Sequence, residues 1–287
     1  MTRIGIIGGS GLYQIDGLTD IETLTIDTPF GPPSDSLITG QLDGHDVVFL
    51  PRHGQGHRLM PTEVNYRANI FALKTLGVTR IISVSAVGSL RKDIKPMDVV
   101  IIDNFFDRSN QARPQTFFGK GIVAHVQLAH PLCHELRRVL VDAGKEIGAS
   151  IKESGTYLNM EGPQFSTLAE SKTYRAWGMD VIGMTQMNEA RLAREAEICY
   201  ATIALVTDFD CWHEETTGET VSVEMILDYM RANTETAKKL LQKAIPKIHI
   251  SESCACHNAL AGAIVTDKSV WPTETVETLK PILGKYL

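Results

Sequence analysis

Cys199-Tyr200-Ala201-Thr202-Ile203-Ala204-Leu205-Val206-Thr207-Asp208-Phe209-Asp210 is an apolar, β-branched run that stops at two aspartates one residue apart. Its length and composition predict a strand buried on both faces. Side chains alternate along a strand, so an extended conformation carried through Asp210 would put both carboxylates on one side of its end. Two like charges at the rim of a core are unfavourable unless something arrives to share them. A solvated turn or a helix cap would account for them equally well. Their meaning depends on what converges beside them.

Outward from that stretch, the chain alternates apolar runs with amphipathic segments. Strands are predicted over 3–8, 36–42, 45–51, 80–86, 98–103, 154–160 and 180–184, with a hairpin turn at Asp43-Gly44. Helices are predicted over 64–76, 132–147, a segment ending near 176, 188–196 and 223–244, the last from its spacing of apolar and small residues. Residues 107–121 read as a loop, and an irregular tail with helical patterns near 256–264 and 273–284 follows from about 246. No repeat, low-complexity tract or linker interrupts the pattern. The expectation is a single α/β domain over 1–287.

Composition narrows the function classes. The 287 residues are 43% hydrophobic and 22% charged, enough for a sizeable core without staples. A net charge of −6 without a basic stripe argues against nucleic acid. The start runs straight into a strand pattern, and no apolar run is long enough to span a membrane. A cytoplasmic protein without a membrane partner is expected. The five cysteines make no disulfide framework. Cys133, Cys199 and Cys211 are expected to be core thiols. Cys254 and Cys256 cluster with His249 and His257, but Cys-x-Cys-His lacks zinc-knuckle spacing, and no metal is expected.

Polar or glycine-rich clusters recur at the predicted C-terminal ends of strands: Gly8 to Gly11, Arg52-His53, Ser85-Ala86, Met184-Thr185 and Asp208 to Asp210. Ligands of open α/β sheets bind there. Gly5, Gly8, Gly9 and Gly11 do not fit G-x-G-x-x-G, and no Walker-type lysine follows, so a dinucleotide or nucleoside triphosphate site is excluded. A glycine turn with the Ser10 hydroxyl suits a small oxyanion. Arg52 offers a fork, His53 a further donor, Ser85 and Thr185 hydroxyls, and Thr185 precedes a helix N-terminus. Each has an ordinary structural explanation alone. Together they make a pocket for free phosphate.

Gly5-Ile6-Ile7-Gly8-Gly9-Ser10-Gly11-Leu12, Pro51-Arg52-His53-Gly54-Gln55-Gly56-His57, Ser85-Ala86-Val87-Gly88-Ser89-Leu90, Asn159-Met160-Glu161-Gly162-Pro163-Gln164-Phe165-Ser166, Met184-Thr185 and Thr207-Asp208-Phe209-Asp210-Cys211-Trp212 resemble segments of the trimeric purine nucleoside phosphorylases. The resemblance runs in order from about residue 3 to about 245, and is strongest to the branch acting on 5′-methylthioadenosine. It implies one domain around a mixed sheet flanked by helices, and a homotrimer, or a dimer of trimers, with sites at subunit boundaries. It implies cleavage of a nucleoside by inorganic phosphate, a substrate, with no cofactor. It assigns phosphate to Ser10, Arg52, His53, Ser85 and Thr185, with Ala86 on the floor. Met184 would lie under the ribose, Phe165 and Ser166 against the purine, and Asp208 and Asp210 at its N7 and N6 edge. His57, Val223 and a neighbouring subunit's His125 would shape the 5′ pocket.

The aspartates then acquire a chemistry. Two carboxyls in a partly desolvated pocket raise the pKa of at least one, which can protonate N7 of the departing purine. Relatives specific for 6-oxopurines carry Asn at the Asp208 position and Glu at the Ser166 position. Both differences favour adenine, whose N6 amine donates where a 6-oxo group would accept. The alternatives are a 6-oxopurine or methylthioinosine phosphorylase and, in a different class, a non-catalytic nucleoside sensor.

Overall fold

The computed structural model describes residues 3–9, 11–110, 113–213, 223–249 and 254–287; the side chains of 223, 225 and 226 also lie outside the described set. The predicted strand at 199 forms, and its burial follows the two-residue period. Tyr200, Ala204 and Val206 enter one apolar core, while Cys199, Ala201, Ile203 and Leu205 enter another on the opposite face. This strand belongs to one mixed sheet: β1 (Arg3–Gly8), β2 (Leu18–Leu24), β3 (Leu37–Leu42), β4 (His45–Pro51), β5 (Val78–Ser89), β6 (Val99–Ile101), β7 (Asn104–Arg108), β8 (Ile151–Lys152), β9 (Thr156–Met160), β10 (Val181–Gly183) and β11 (Cys199–Asp208).

Helices cover both faces. They are α1 (Tyr66–Thr75), α2 (His134–Glu146), α3 (Leu168–Ala176), α4 (Gln186–Glu195), α5 (Val223–Ala244) and the short α6 (Thr273–Thr278) and α7 (Lys280–Leu283). The first core holds Ile7, Leu50 and Ile81 of the sheet with Ile70 and Leu73 of α1 and Leu192 of α4. The second holds Ile6, Phe49 and Ile82 with Leu136 and Leu140 of α2 and Leu240 and Leu241 of α5. None of the described helices is long and apolar enough to cross a membrane.

What positions the site is a divergence in the sheet. β4, β1, β5 and β11 are parallel neighbours. Along one edge of β5, β1 pairs as far as Ser83, and β10 pairs antiparallel only from Gly88. Between them Val84 to Val87 face an opening on that edge, while β11 continues to pair along the other. Continuing the register of β10, with Ile182 opposite Gly88, brings Thr185 beside Ser85.

Several expectations change. β5 is longer than the predicted 80–86, so Ser85-Ala86 lie inside the strand and not at its end. β10 runs opposite to β5, so Met184-Thr185 reach the site by antiparallel return. β11 stops at Asp208 after an irregular pairing step at Val206, and Cys211–His213 is a 3-10 turn. The extended conformation therefore does not reach Asp210. β2 lacks apolar alternation, since five of its seven residues are exposed on a sheet edge, and β7 takes the start of the supposed loop at 107. The tail forms a 3-10 turn at Ala255–Asn258 in place of a helix over 256–264.

Gly183 ends β10 against the Tyr157 ring. A Cβ there would stand 1.9 Å from the phenol oxygen, far inside contact distance. Gly183→Ala should therefore cost about 1–3 kcal/mol through overpacking, read as a lowered denaturant midpoint. A midpoint equal to wild type would mean Tyr157 moves freely.

Candidate active site

The opening in the sheet is the floor of a cavity of about 680 Å³. Gly9 and Gly11 flank it after β1, Arg52 and His53 after β4, and Ser85 to Gly88 cross it on β5. Met184 and Thr185 close it after β10, Asp208 and Asp210 after β11, and Phe165 and Ser166 from the loop before α3. His57 also lines it. Ser10 lies outside the described residues, as does the Val223 side chain. His125 is exposed and away from the cavity, its backbone N–H donating to the Ala263 carbonyl.

Strand geometry supplies the first anion donor. The Val84 carbonyl points into the opening, where Arg52 Nη1 donates to it at 2.9 Å. Alternation turns the N–H of Ala86 to the same side, and Ala86 is exposed there. Thr185 supplies the second. It occupies the N-cap position of α4, yet its side chain makes no cap hydrogen bond. Asn159 Oδ1 accepts from Met187 N at 3.1 Å and does the capping instead. The Thr185 oxygen accepts from the Gln186 amide at 3.2 Å, so its proton can point at an anion facing the helix N-terminus.

Arg52 and His53 differ from expectation. Arg52 is 3% exposed, and its Nε and Nη2 are held by the Glu189 carboxylate. Nη2 also donates to Ser83 Oγ at 2.5 Å. With Nη1 on Val84, the five-donor fork retains one N–H, on Nη1, for a ligand. Burial would lower its pKa, but the Glu189 charge keeps it raised. His53 is pushed down to about 4 by burial, with Arg52 adding repulsion, so its ring is neutral at pH 7. Nδ1–H donates to the Leu59 carbonyl at 2.8 Å. Nε2 is then an acceptor, fit for the P–OH of hydrogen phosphate, and not the extra donor expected. The ring stacks on His57 with centroids 4.3 Å apart.

At the other end of the cavity, burial raises Asp208 to about 6, and the neighbouring Asp210 adds to the rise. Thr207 Oγ1 donates to Asp208 Oδ2 at 2.7 Å. Asp208 Oδ1 lies 2.9 Å from where a Cβ on Gly88 would stand, so the glycine makes room for it. Burial raises Asp210 as well. Its Oδ2 is buried without a hydrogen-bond partner among the described residues. The cavity therefore pairs an anion cradle with a proton-holding carboxyl and a free acceptor.

The chain is similar to known proteins along nearly its whole length. Residues 3–246 match the family model described as the phosphorylase superfamily. The chain belongs to the phosphorylase superfamily. It is 55% identical over 284 residues to the S-methyl-5′-thioadenosine phosphorylase of Geobacter sulfurreducens, covering 99% of both chains. It is 53% identical to that of Koribacter versatilis, covering 99% of this chain and 96% of the other. The crystal structure of a methylthioadenosine phosphorylase from an antarctic soil metagenomic library superposes with a TM-score of 0.91 at 49% identity, covering 98% and 99% of the two chains. Methylthioadenosine phosphorylase from Schistosoma mansoni in complex with adenine gives 0.86 at 35% identity, covering 92% and 99%. The mixed sheet flanked by helices is that of nucleoside phosphorylases, and the chain is a pentosyltransferase of the purine nucleoside phosphorylase type.

Three residues that matter to this phosphorylase site were missed in the sequence. Glu189 neutralises Arg52 and also accepts from Ser83 Oγ at 2.6 Å and Tyr200 Oη at 2.8 Å. Arg113 is buried in the segment read as a loop. It donates to the Met184 carbonyl at 2.6 Å, Asn188 Oδ1 at 3.0 Å and Glu161 Oε1 at 2.9 Å, joining the loop before α3 to the end of β10. Asn159 frees Thr185. The only available signal was an acidic residue on the apolar stripe of α4; Arg113 and Asn159 carry none. Glu189→Gln should cost about 3–5 kcal/mol by leaving a buried guanidinium unpaired and should raise the KM for phosphate. Unchanged stability and KM would show that Ser83 and the carbonyls hold Arg52 unaided.

Proposed function

We propose that the protein catalyses phosphorolysis of S-methyl-5′-thioadenosine to adenine and 5-methylthioribose 1-phosphate. It would act as a cytoplasmic homotrimer without a cofactor. The observation carrying the reading is the Asp208–Asp210 pair: one carboxyl near pH 6 and one buried oxygen free to accept. The names of the relatives support the same substrate.

Bond cleavage builds positive charge on the ribosyl ring and negative charge on the purine. Phosphate held by the Ala86 N–H, the Thr185 hydroxyl and the N-terminus of α4, with the Ser85 hydroxyl turning to it from the Ala86 carbonyl, lies where it offsets the first and then captures C1′. Asp208 supplies the proton for N7. Filling the cavity with purine excludes water and raises that carboxyl further. Asp210 Oδ2 accepts from the N6 amine, and a 6-oxo group there would face a lone pair. Ser166 leaves N1 without an obligatory acceptor, so two mismatches of about 1–3 kcal/mol each oppose 6-oxopurines. The exposed Leu227, Met230 and Phe165 rim the cavity mouth. A second subunit bringing its copy of His125 would cover that mouth.

The protonated form is present below the Asp208 pKa and is lost as pH rises through it. At saturating phosphate, wild-type kcat/KM should fall on the alkaline side. Asp208→Asn should lose about 10²–10⁴-fold and should lack that limb. A retained limb would place the proton elsewhere. Phosphate-dependent turnover of methylthioadenosine, methylthioinosine, adenosine and inosine tests the base: faster release of hypoxanthine than adenine would overturn the reading, and binding without turnover would indicate a sensor.

A further inference from the structure

The cysteines come together in a way their spacing did not indicate. Cys133 stands at the N-cap position of α2, Cys199 begins β11, and Cys254 and Cys256 lie in the tail. All four sulfurs lie within 4.8 Å of one another, and all four residues are buried. Cys254 Sγ is 3.8 Å from Cys133 Sγ and 3.7 Å from Cys199 Sγ. A tetrahedron with Zn–S bonds of about 2.3 Å has S···S edges of about 3.8 Å. The cluster does not separate into two pairs, because Cys254 is as close to one neighbour as to the other.

We propose that Cys133, Cys199, Cys254 and Cys256 form a structural tetrathiolate site for a thiophilic divalent cation, zinc. Binding converts four thiols to thiolates with release of their protons and involves no oxidation. All four ligands come from the protein, which leaves no open position for a substrate or water. The surroundings fit the negative charge that results. His257 Nε2 is 3.6 Å from Cys199 Sγ and Nδ1 is 3.3 Å from the Glu197 carbonyl, so the ring links one ligand to the backbone. Backbone bonds brace two ligands: Cys133 N donates to the Tyr200 carbonyl at 2.8 Å, and His257 N to the Cys254 carbonyl at 3.0 Å.

Cys199 and Asp208 sit at opposite ends of β11, about 30 Å apart at ~3.3 Å per residue. The metal is therefore remote from the chemistry and leaves phosphorolysis itself metal-free. Its role is to tie the tail to the starts of β11 and α2. Four small apolar side chains would fill the same space, but they would not account for four sulfurs in mutual contact drawn from three parts of the chain. The spacing of Cys254 and Cys256 alone does not show the cluster, because Cys-x-Cys supplies only half of it. The other half is 55 and 121 residues away from Cys254.

The full-length protein, purified without metal-affinity chromatography, should carry one zinc per protomer by elemental analysis and by native mass spectrometry. Exchange for cobalt should give intense thiolate-to-cobalt absorption with tetrahedral visible bands. The double variant Cys254→Ser/Cys256→Ser should lose both metal and spectrum. Thiol titration of denatured wild type keeps the test decisive if that variant fails to fold. Five free thiols without metal would mean a packed thiol cluster, and one free thiol would mean two disulfides among the four; either result overturns the proposal.

Discussion

A β-strand has two edges, and β5 has a continuous neighbour on only one of them. β11 pairs with it from Arg80 to Gly88, while β1 leaves the other edge at Ser83 and β10 joins at Gly88. Backbone groups in the intervening gap lack a strand neighbour on that edge and need other partners, because an unpaired peptide group in a core is costly. Arg52 answers one of them at the Val84 carbonyl. The Ala86 N–H is left facing the cavity, where it can donate to an anion. The phosphate floor is thus a consequence of how the sheet opens, and the residues around it serve that opening.

Charge in the site follows the same economy. Arg52 is too buried to stand as a bare cation, so Glu189 neutralises it, and little of the guanidinium remains for a ligand. Selectivity for an anion then rests on oriented dipoles: a strand N–H, two hydroxyls and a helix start. Dipoles fixed by the fold need no reorganisation when charge develops. At the purine end the opposite choice is made. Among the described residues no cation stands beside Asp208 and Asp210 to hold them ionised, and burial itself raises both. One cavity keeps an arginine charged because Glu189 stands beside it, and raises a carboxyl because burial, with a second acid adding to it, disfavours its charge.

Much of this was legible in residues that must be specific types at specific places. The apolar run ending at Asp208, the glycine turn after β1 and the strand-end clusters all marked the cavity, since strand periodicity and topology leave a local imprint. Ser85-Ala86 was singled out although the strand end was misplaced by three residues, because composition marks the residues and not the hydrogen-bond ladder. Asp210 was grouped with Asp208 on a geometry that does not occur, since the chain leaves the strand before it. The conclusion survived because a 3-10 turn also returns the side chain to the cavity. Of the donor character assigned to Arg52 and His53, one Arg52 N–H remains and the His53 Nε2 becomes an acceptor. Glu189 is 137 residues from Arg52, a separation that hides the pairing.

The chain by itself determined the buried strand, the helices that cover it, the two carboxylates and the hydroxyls around an anion, for these depend on local period and residue chemistry. Tertiary structure decided which of those groups are free to act. Asn159 releases Thr185 from capping, Glu189 occupies Arg52, Leu59 sets the His53 tautomer, and two distant cysteines complete a pair in the tail. All but the His53–Leu59 contact join residues far apart in the chain, and the state of a polar group is set by its partner, which only the folded chain brings within reach.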